Sequence, residues 1–342
     1  MKKIKLISAI VAVCMIVTML SGCRFIKSGA VATVNGEDIS SEEFALYFIQ
    51  VQNEILSSSG VTTLDQAKQF WAQVDADGKT PADEARQIAV DAITLIWIKC
   101  QKAGEFGLEI TDEEKAQVSE QIGQQITQMG GNSVFQSELK SIGSTQEAYT
   151  SLMEKMLLAS KVDEKLMASP EYTVTEDEAK ENIKNTYIKA KHILINTMNA
   201  ETGVPYTDAE LKEAEAKVKD IQAKLKDGAD FDALMNEFSE DPGLATQPDG
   251  YVFGKGQMVP EFEEAAYALE VGEVSEPVKS TYGYHIIKRE AHNVTDSEID
   301  EFLSTEMQLI QYSKFEKLYG DWKNEADIKI NEKKLAKIDV MK

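Results

Sequence analysis

Cysteine, proline, histidine and positive charge are all scarce in this sequence of 342 residues. Three Cys and seven Pro exclude a disulfide-built scaffold and a proline-rich linker protein. Against 58 acidic side chains stand only 36 basic ones, a formal charge of −22 that repels nucleic acid and excludes it as a partner. Long apolar runs are missing too: beyond the first 22 residues nothing approaches the roughly 18 apolar residues of a membrane-spanning helix. What remains is 43% hydrophobic and 27% charged, the balance of a globular chain and not of a disordered acidic tail. The length suits two domains.

The N-terminus is a separate matter. Lys2, Lys3 and Lys5 precede a nearly unbroken apolar run of 15 residues, Leu6 to Leu20, the dimensions of a secretory signal. The run ends in Leu20-Ser21-Gly22-Cys23, which resembles a bacterial lipobox. That resemblance implies a signal peptide over 1–22, cleavage before Cys23 and a diacylglycerol on its sulfur. Residues 23–33 are then a lipid-anchored tether, and the protein is expected at the cell membrane, on its extracytoplasmic face. Losing three Lys and no acid changes the charge from −22 to −25. With Cys14 removed and Cys23 lipidated, Cys100 has no disulfide partner and reads as a core thiol.

Capping boxes mark a helical region from Ser40 to about Ala168: Ser40 with Glu43, Thr111 with Glu114, Ser144 with Glu147. Thr80-Pro81 opens another helix, in which Ala85, Ile88, Ala89, Ala92, Ile93, Ile96 and Trp97 share one side. Thr175 with Glu178 begins a further helix. From Thr295, capped with Glu298, a long helix runs to about Asn324. Val31–Val34 and Asp327–Ile330 are strand-like segments with no neighbour in sequence, so they are expected to pair with each other. The fold class is thus a mainly α-helical domain built from N- and C-terminal segments (34–184 and 293–342) around an inserted α+β domain with an antiparallel sheet (185–292).

The insertion begins with the strand Lys191-His192-Ile193-Leu194-Ile195, passes through helices from Thr207, Asp230 and Pro260, and closes with strands over 273–279 and 284–289. Two of the three His, His192 and His285, lie in its first and last strands. Each alone reads as a core residue; together in one small block they point to a site. His292 carries no motif.

Five segments then come into register: Lys191-His192-Ile193-Leu194-Ile195, Phe238-Ser239-Glu240-Asp241, Phe253-Gly254-Lys255-Gly256-Gln257-Met258, Pro260-Glu261-Phe262-Glu263 and Gly283-Tyr284-His285-Ile286-Ile287. Their order resembles the parvulin family of peptidyl-prolyl cis/trans isomerases. The surrounding layout is similar to that of PrsA-type foldase lipoproteins, whose helical part is a chaperone. The resemblance implies catalytic roles for His192, Asp241 and His285 and a proline-binding floor made by Met258 and Phe262. It requires no cofactor and no metal, and it explains His192, His285 and Asp241 without a two-His-one-carboxylate metal site. The implied partners are unfolded or newly secreted polypeptides with X–Pro bonds, and the membrane through the lipid; a homodimer is one assembly open to such a protein. One departure stands out. Many parvulins have Asp-Leu-Gly before the aromatic strand, the Leu lining the proline pocket; here the chain reads Asp249-Gly250-Tyr251-Val252-Phe253. A holdase whose isomerase domain only grips its clients is therefore the alternative to an isomerase–chaperone. The loop 196–206 has no basic residue, which argues against phosphoserine-proline preference. A solute receptor is opposed by the lack of repeated βαβ patterning.

Overall fold

The computed structural model describes residues 29–74, 78–200 and 204–338. The expected signal peptide and Cys23 lie outside the described residues. Among the described residues, no helix is long and apolar enough to cross a membrane. The chain folds as two compact units, one from residues up to Thr173 together with Phe315 onward, the other from Val174 to Lys314.

In the first unit, strand β1 (Ala30–Val34) turns through Asn35-Gly36 into β2 (Glu37–Ser40). Both turn residues have positive φ, 50° and 84°, as a tight hairpin demands. The first strand starts at Ala30, so the end of the expected tether is already sheet. Strand β7 (Ile328–Ile330) adds to the free edge of β1, giving the order β2-β1-β7. The pairing expected of the two sequence-distant strands is present, with Ala32 opposite Ile330 and Val34 opposite Ile328. The Asn35 side chain fastens this closure by accepting from the Asp327 N–H at 2.8 Å.

Helices α1 (Ser41–Ser58), α2 (Leu64–Trp71), α3 (Pro81–Lys102), α4 (Asp112–Gln128), α5 (Asn132–Ser141) and α6 (Gln146–Met167) follow. Phe44, Phe48, Ile93, Trp97, Tyr149 and Val162 form the centre of one continuous apolar core. Two expectations need correction. The helix at 146 is capped by Thr145, whose hydroxyl accepts from Ala148 N–H, and not by Ser144, which is buried. Ile88 leaves the apolar stripe and is 43% exposed; the buried face is turned toward Val90, Thr94 and Ile98 instead. The cap on α1 does more than start a helix. Glu43 holds Ser40 with one oxygen and receives Ser151 Oγ and Lys155 Nζ, both at 2.9 Å, on the other. Burial opposes its charge, but these donors outweigh it and hold the carboxyl below its ordinary range.

The second unit contains α7 (Glu176–Thr186), β3 (Ile188–Asn196), α8 (Asp208–Lys226), α9 (Phe231–Phe238), β4 (Tyr251–Phe253), α10 (Pro260–Ala268), β5 (Val278–Lys279) and β6 (Gly283–Glu290). Helix α11 (Asp296–Glu325) gives its residues up to Lys314 to this unit and the remainder to the first. The strands form an antiparallel sheet in the order β4-β3-β6-β5. Alternation along β3 and β6 separates two faces. Ile193, Ile195 and Ile286 pack on α8 and α9 through Val218, Ile221, Phe231 and Leu234. Ile188, Ala190 and Ile287 pack with Phe253 on α10 through Phe262 and Ala266. The strand expected over 273–279 is regular only at Val278–Lys279. Before Pro277, Ser275 substitutes for a ladder carbonyl, its Oγ accepting from Ile287 N–H at 2.9 Å.

Candidate active site

Antiparallel pairing of β3 and β6 sets Leu194 opposite His285 and His192 opposite Ile287. The two His therefore sit diagonally on one sheet face, the face covered by α10. Their rings stack at 5.3 Å, and their Nδ1 atoms are 3.1 Å apart. Both are buried. Asp241 follows α9 and caps a short 3₁₀ turn over Pro242–Ala245, its Oδ1 accepting from Gly243 N–H at 3.0 Å. That cap aims Oδ2 at His192 Nε2, 3.0 Å away. Phe262 covers the pair edge-on, 5.2 Å from His192 and 5.4 Å from His285. Half-buried Met258 belongs to the same apolar cluster. The structure thus brings together His192, His285, Asp241, Phe262 and Met258.

Two further residues complete the site. Tyr251 Oη donates to Asp241 Oδ2 at 2.6 Å, and Ser280 Oγ lies 2.7 Å from His285 Nε2. Sequence reasoning gave Tyr251 no role and did not single out Ser280. The position of Tyr251 beside the departing Gly250 was the available signal; Ser280, in a turn before β6, offers none.

The hydrogen positions follow from this arrangement. Burial works against a charge on Asp241, but the bonds from His192, Tyr251 and Gly243 prevail and lower its pKa to about 2. An ionised Asp241 accepts, so His192 carries its proton on Nε2 and presents a bare Nδ1. His285 then donates from Nδ1 and accepts at Nε2 from the Ser280 hydroxyl. Ser280 in turn accepts from Tyr282 N–H at 3.1 Å. Burial first, then the neighbouring His192 imidazole, lower His285 to about 4 against an opposing effect of Asp241, so it is neutral at pH 7. Burial and the Asp241 acceptor together raise the Tyr251 phenol well above its ordinary range, which keeps it a donor. Every donor in the line points toward one carboxylate. The His nitrogens are fully occupied by one another, Ser280 and Asp241. Among the described residues, no group of three or more His, Cys, Asp or Glu is arranged to hold a metal ion.

Residues 192–291 match the family described as rotamase, the PPIC-type PPIASE domain. A foldase protein PrsA of Caldanaerobacter subterraneus subsp. tengcongensis is 31% identical over 308 residues, 89% of this chain and 87% of that protein. The foldase protein PrsA 3 of Bacillus anthracis is 35% identical over 253 residues, 70% of this chain and 77% of that one. The chain belongs to the PrsA foldase family. A crystal structure of a peptidylprolyl isomerase (PrsA) from Bacillus cereus aligns over 77% of this chain and 95% of its own, with 28% identity and a TM-score of 0.35.

This foldase is therefore a parvulin-type peptidyl-prolyl cis/trans isomerase that acts on substrate polypeptides as a folding helper and chaperone. The activity accounts for a site with no nucleophile. Rotation about X–Pro faces a barrier of about 18–20 kcal/mol set by amide resonance, and a catalyst need only favour the twisted imide.

The departure at Gly250 has a structural cause. Gly250 has φ +92°, and a Cβ there would stand 2.6 Å from the Ala190 carbonyl oxygen. The chain passes too close to β3 for any side chain at that position.

Proposed function

We propose that Asp241 faces the carbonyl of the residue preceding proline, while Phe262 and Met258 receive the proline ring. In a planar amide the carbonyl oxygen carries resonance charge; in the twisted state that charge returns to nitrogen. A carboxylate beside the oxygen repels the planar form more than the twisted one, and so lowers the barrier. His192 and His285 act behind Asp241, fixing its orientation. The observation that carries this reading is the unbroken donor line from Ser280 to Asp241 beneath the apolar cover of Phe262. The helical unit is proposed to hold unfolded clients, since the isomerase constellation lies wholly in the other unit. The lipobox-like Leu20-Ser21-Gly22-Cys23 supports anchoring through Cys23 on the extracytoplasmic face of the cell membrane, with secreted chains as clients.

The test is isomerisation of a Xaa-Pro peptide by the chain lacking residues 1–22, with Asp241→Ala and His192→Ala alongside. Each substitution is expected to lower kcat/KM at least about tenfold. Wild-type rates in Asp241→Ala would sink the assignment. Undiminished suppression of client aggregation by the same variants would separate chaperone action from isomerisation.

A further inference from the structure

We propose that Tyr251 is a positioning residue for isomerisation, its hydroxyl sharing one oxygen of Asp241 with His192 and thereby fixing the carboxylate that faces the substrate. The inference rests on the assignment of Asp241 made above. Three donors converge on this carboxylate: His192 Nε2 at 3.0 Å and Tyr251 Oη at 2.6 Å on Oδ2, and Gly243 N–H at 3.0 Å on Oδ1. With only His192 and Gly243, the group is held at two points and its Oδ2 retains a vacant lone pair. The third donor removes that freedom and spreads the charge. The His192 edge also meets the Tyr251 ring, with centroids 5.7 Å apart, so one side chain braces both members of the pair.

Two glycines make room for this contact. At Gly250 the backbone lies against β3 with φ +92°, which sets where the next side chain leaves the strand. At Gly243 an added Cβ would overlap the Tyr251 hydroxyl. The Gly-Tyr departure in the sequence thus places a phenol on the catalytic carboxylate. The charged and titratable groups facing Asp241 are His192 from β3, Tyr251 from β4 and, beyond His192, His285 from β6.

Tyr251→Phe keeps the ring and deletes only the hydroxyl. In the chain lacking residues 1–22, it is expected to lower kcat about three- to tenfold with KM little changed. The carboxylate carbon resonance of Asp241 at pH 7 is expected to move in the same variant. Gly243→Ala, which displaces the hydroxyl while leaving it in the chain, is expected to reproduce both effects. An unmoved resonance overturns the contact. A moved resonance with wild-type kcat overturns the positioning role. If Asp241→Ala is also fully active, the fault lies in the assignment of Asp241, and the proposal falls with it.

Discussion

His285 makes the isomerase unit sensitive to acid at a pH well above the carboxylate range. It is 4% exposed, and its pKa is pushed down from 6.5 to about 4 by burial and by the neighbouring His192. In the unfolded chain it takes up a proton near pH 6.5; in the folded chain it refuses one until about pH 4. The stability that follows from its neutrality is fully present above pH 6.5 and is lost progressively as pH falls from 6.5 to 4. Across the interval from 6.5 to about 4, at about 1.4 kcal/mol per pH unit, the total is near 3 kcal/mol, most of it gone by pH 4.5. That is a large share of the roughly 5–15 kcal/mol that holds a domain together. Asp241 behaves oppositely in origin and similarly in effect. Its pKa is lowered from 3.8 to about 2, so its contribution of about 2 kcal/mol is complete above pH 3.8 and disappears as pH falls through 2. Between pH 6.5 and 4.5 the His285 effect therefore stands apart from it. The assay is urea unfolding at several pH values, followed by amide signals of β3 and β6, because Trp71, Trp97 and Trp322 all lie in the other unit. The slope should approach about 1.4 kcal/mol per pH unit in this window and flatten in His285→Gln. Equal slopes in the two proteins would refute the reasoning.

Three other outcomes follow from the geometry. Gly250→Ala places a side chain at positive φ against the Ala190 carbonyl and should cost about 2 kcal/mol or more, read as a lower urea midpoint for the β3–β6 signals. The Cys100 thiol is raised to about 11, by burial before any charge, so it should resist maleimide in the native state and react on unfolding. A fragment spanning 185–292 omits Ile183, Ile299 and Phe302, which enclose Tyr187; it should be about 4 kcal/mol or more less stable than a 174–314 fragment by urea titration.

Most of what could be read from the chain alone depends on near neighbours in sequence; the pairing of Val31–Val34 with Asp327–Ile330 was expected instead because neither strand has a local partner. The Ser40–Glu43 box, the Thr80-Pro81 start and the strands that carry His192 and His285 follow local rules, and the structure contains each of them. Misreadings arose where two adjacent candidates compete, as with Ser144 and Thr145, or where a side chain replaces a backbone partner, as Ser275 does. The partners of Tyr251, flagged only by its place beside Gly250, and of Ser280 were missed for another reason. Each depends on a contact with a residue on a different element, Tyr251 with the turn after α9 and Ser280 with the interior of β6. A phenol or a hydroxyl in a loop carries no periodicity that announces such a partner.

The same distinction explains why the folded isomerase unit is larger than its recognisable motif. The family match covers 192–291, whereas the compact unit extends from Val174 to Lys314. Beyond the motif, Glu306 from α11 is 3% exposed and accepts from Asn182 on α7 and from Tyr187 Oη. Tyr187 Oη accepts from Gln257 Nε2, and Gln257 Oε1 accepts from Gly254 N–H. This line ends in the loop that carries Met258, half of the proposed proline floor. A buried carboxylate with two donors is costly to leave unpaired, so α7, α11 and the pocket loop are tied by polar bonds as well as by the apolar contacts of Ile183, Ile299 and Phe302. The proposed proline floor is thus held from behind by helices that contribute nothing to the motif, and its geometry depends on them.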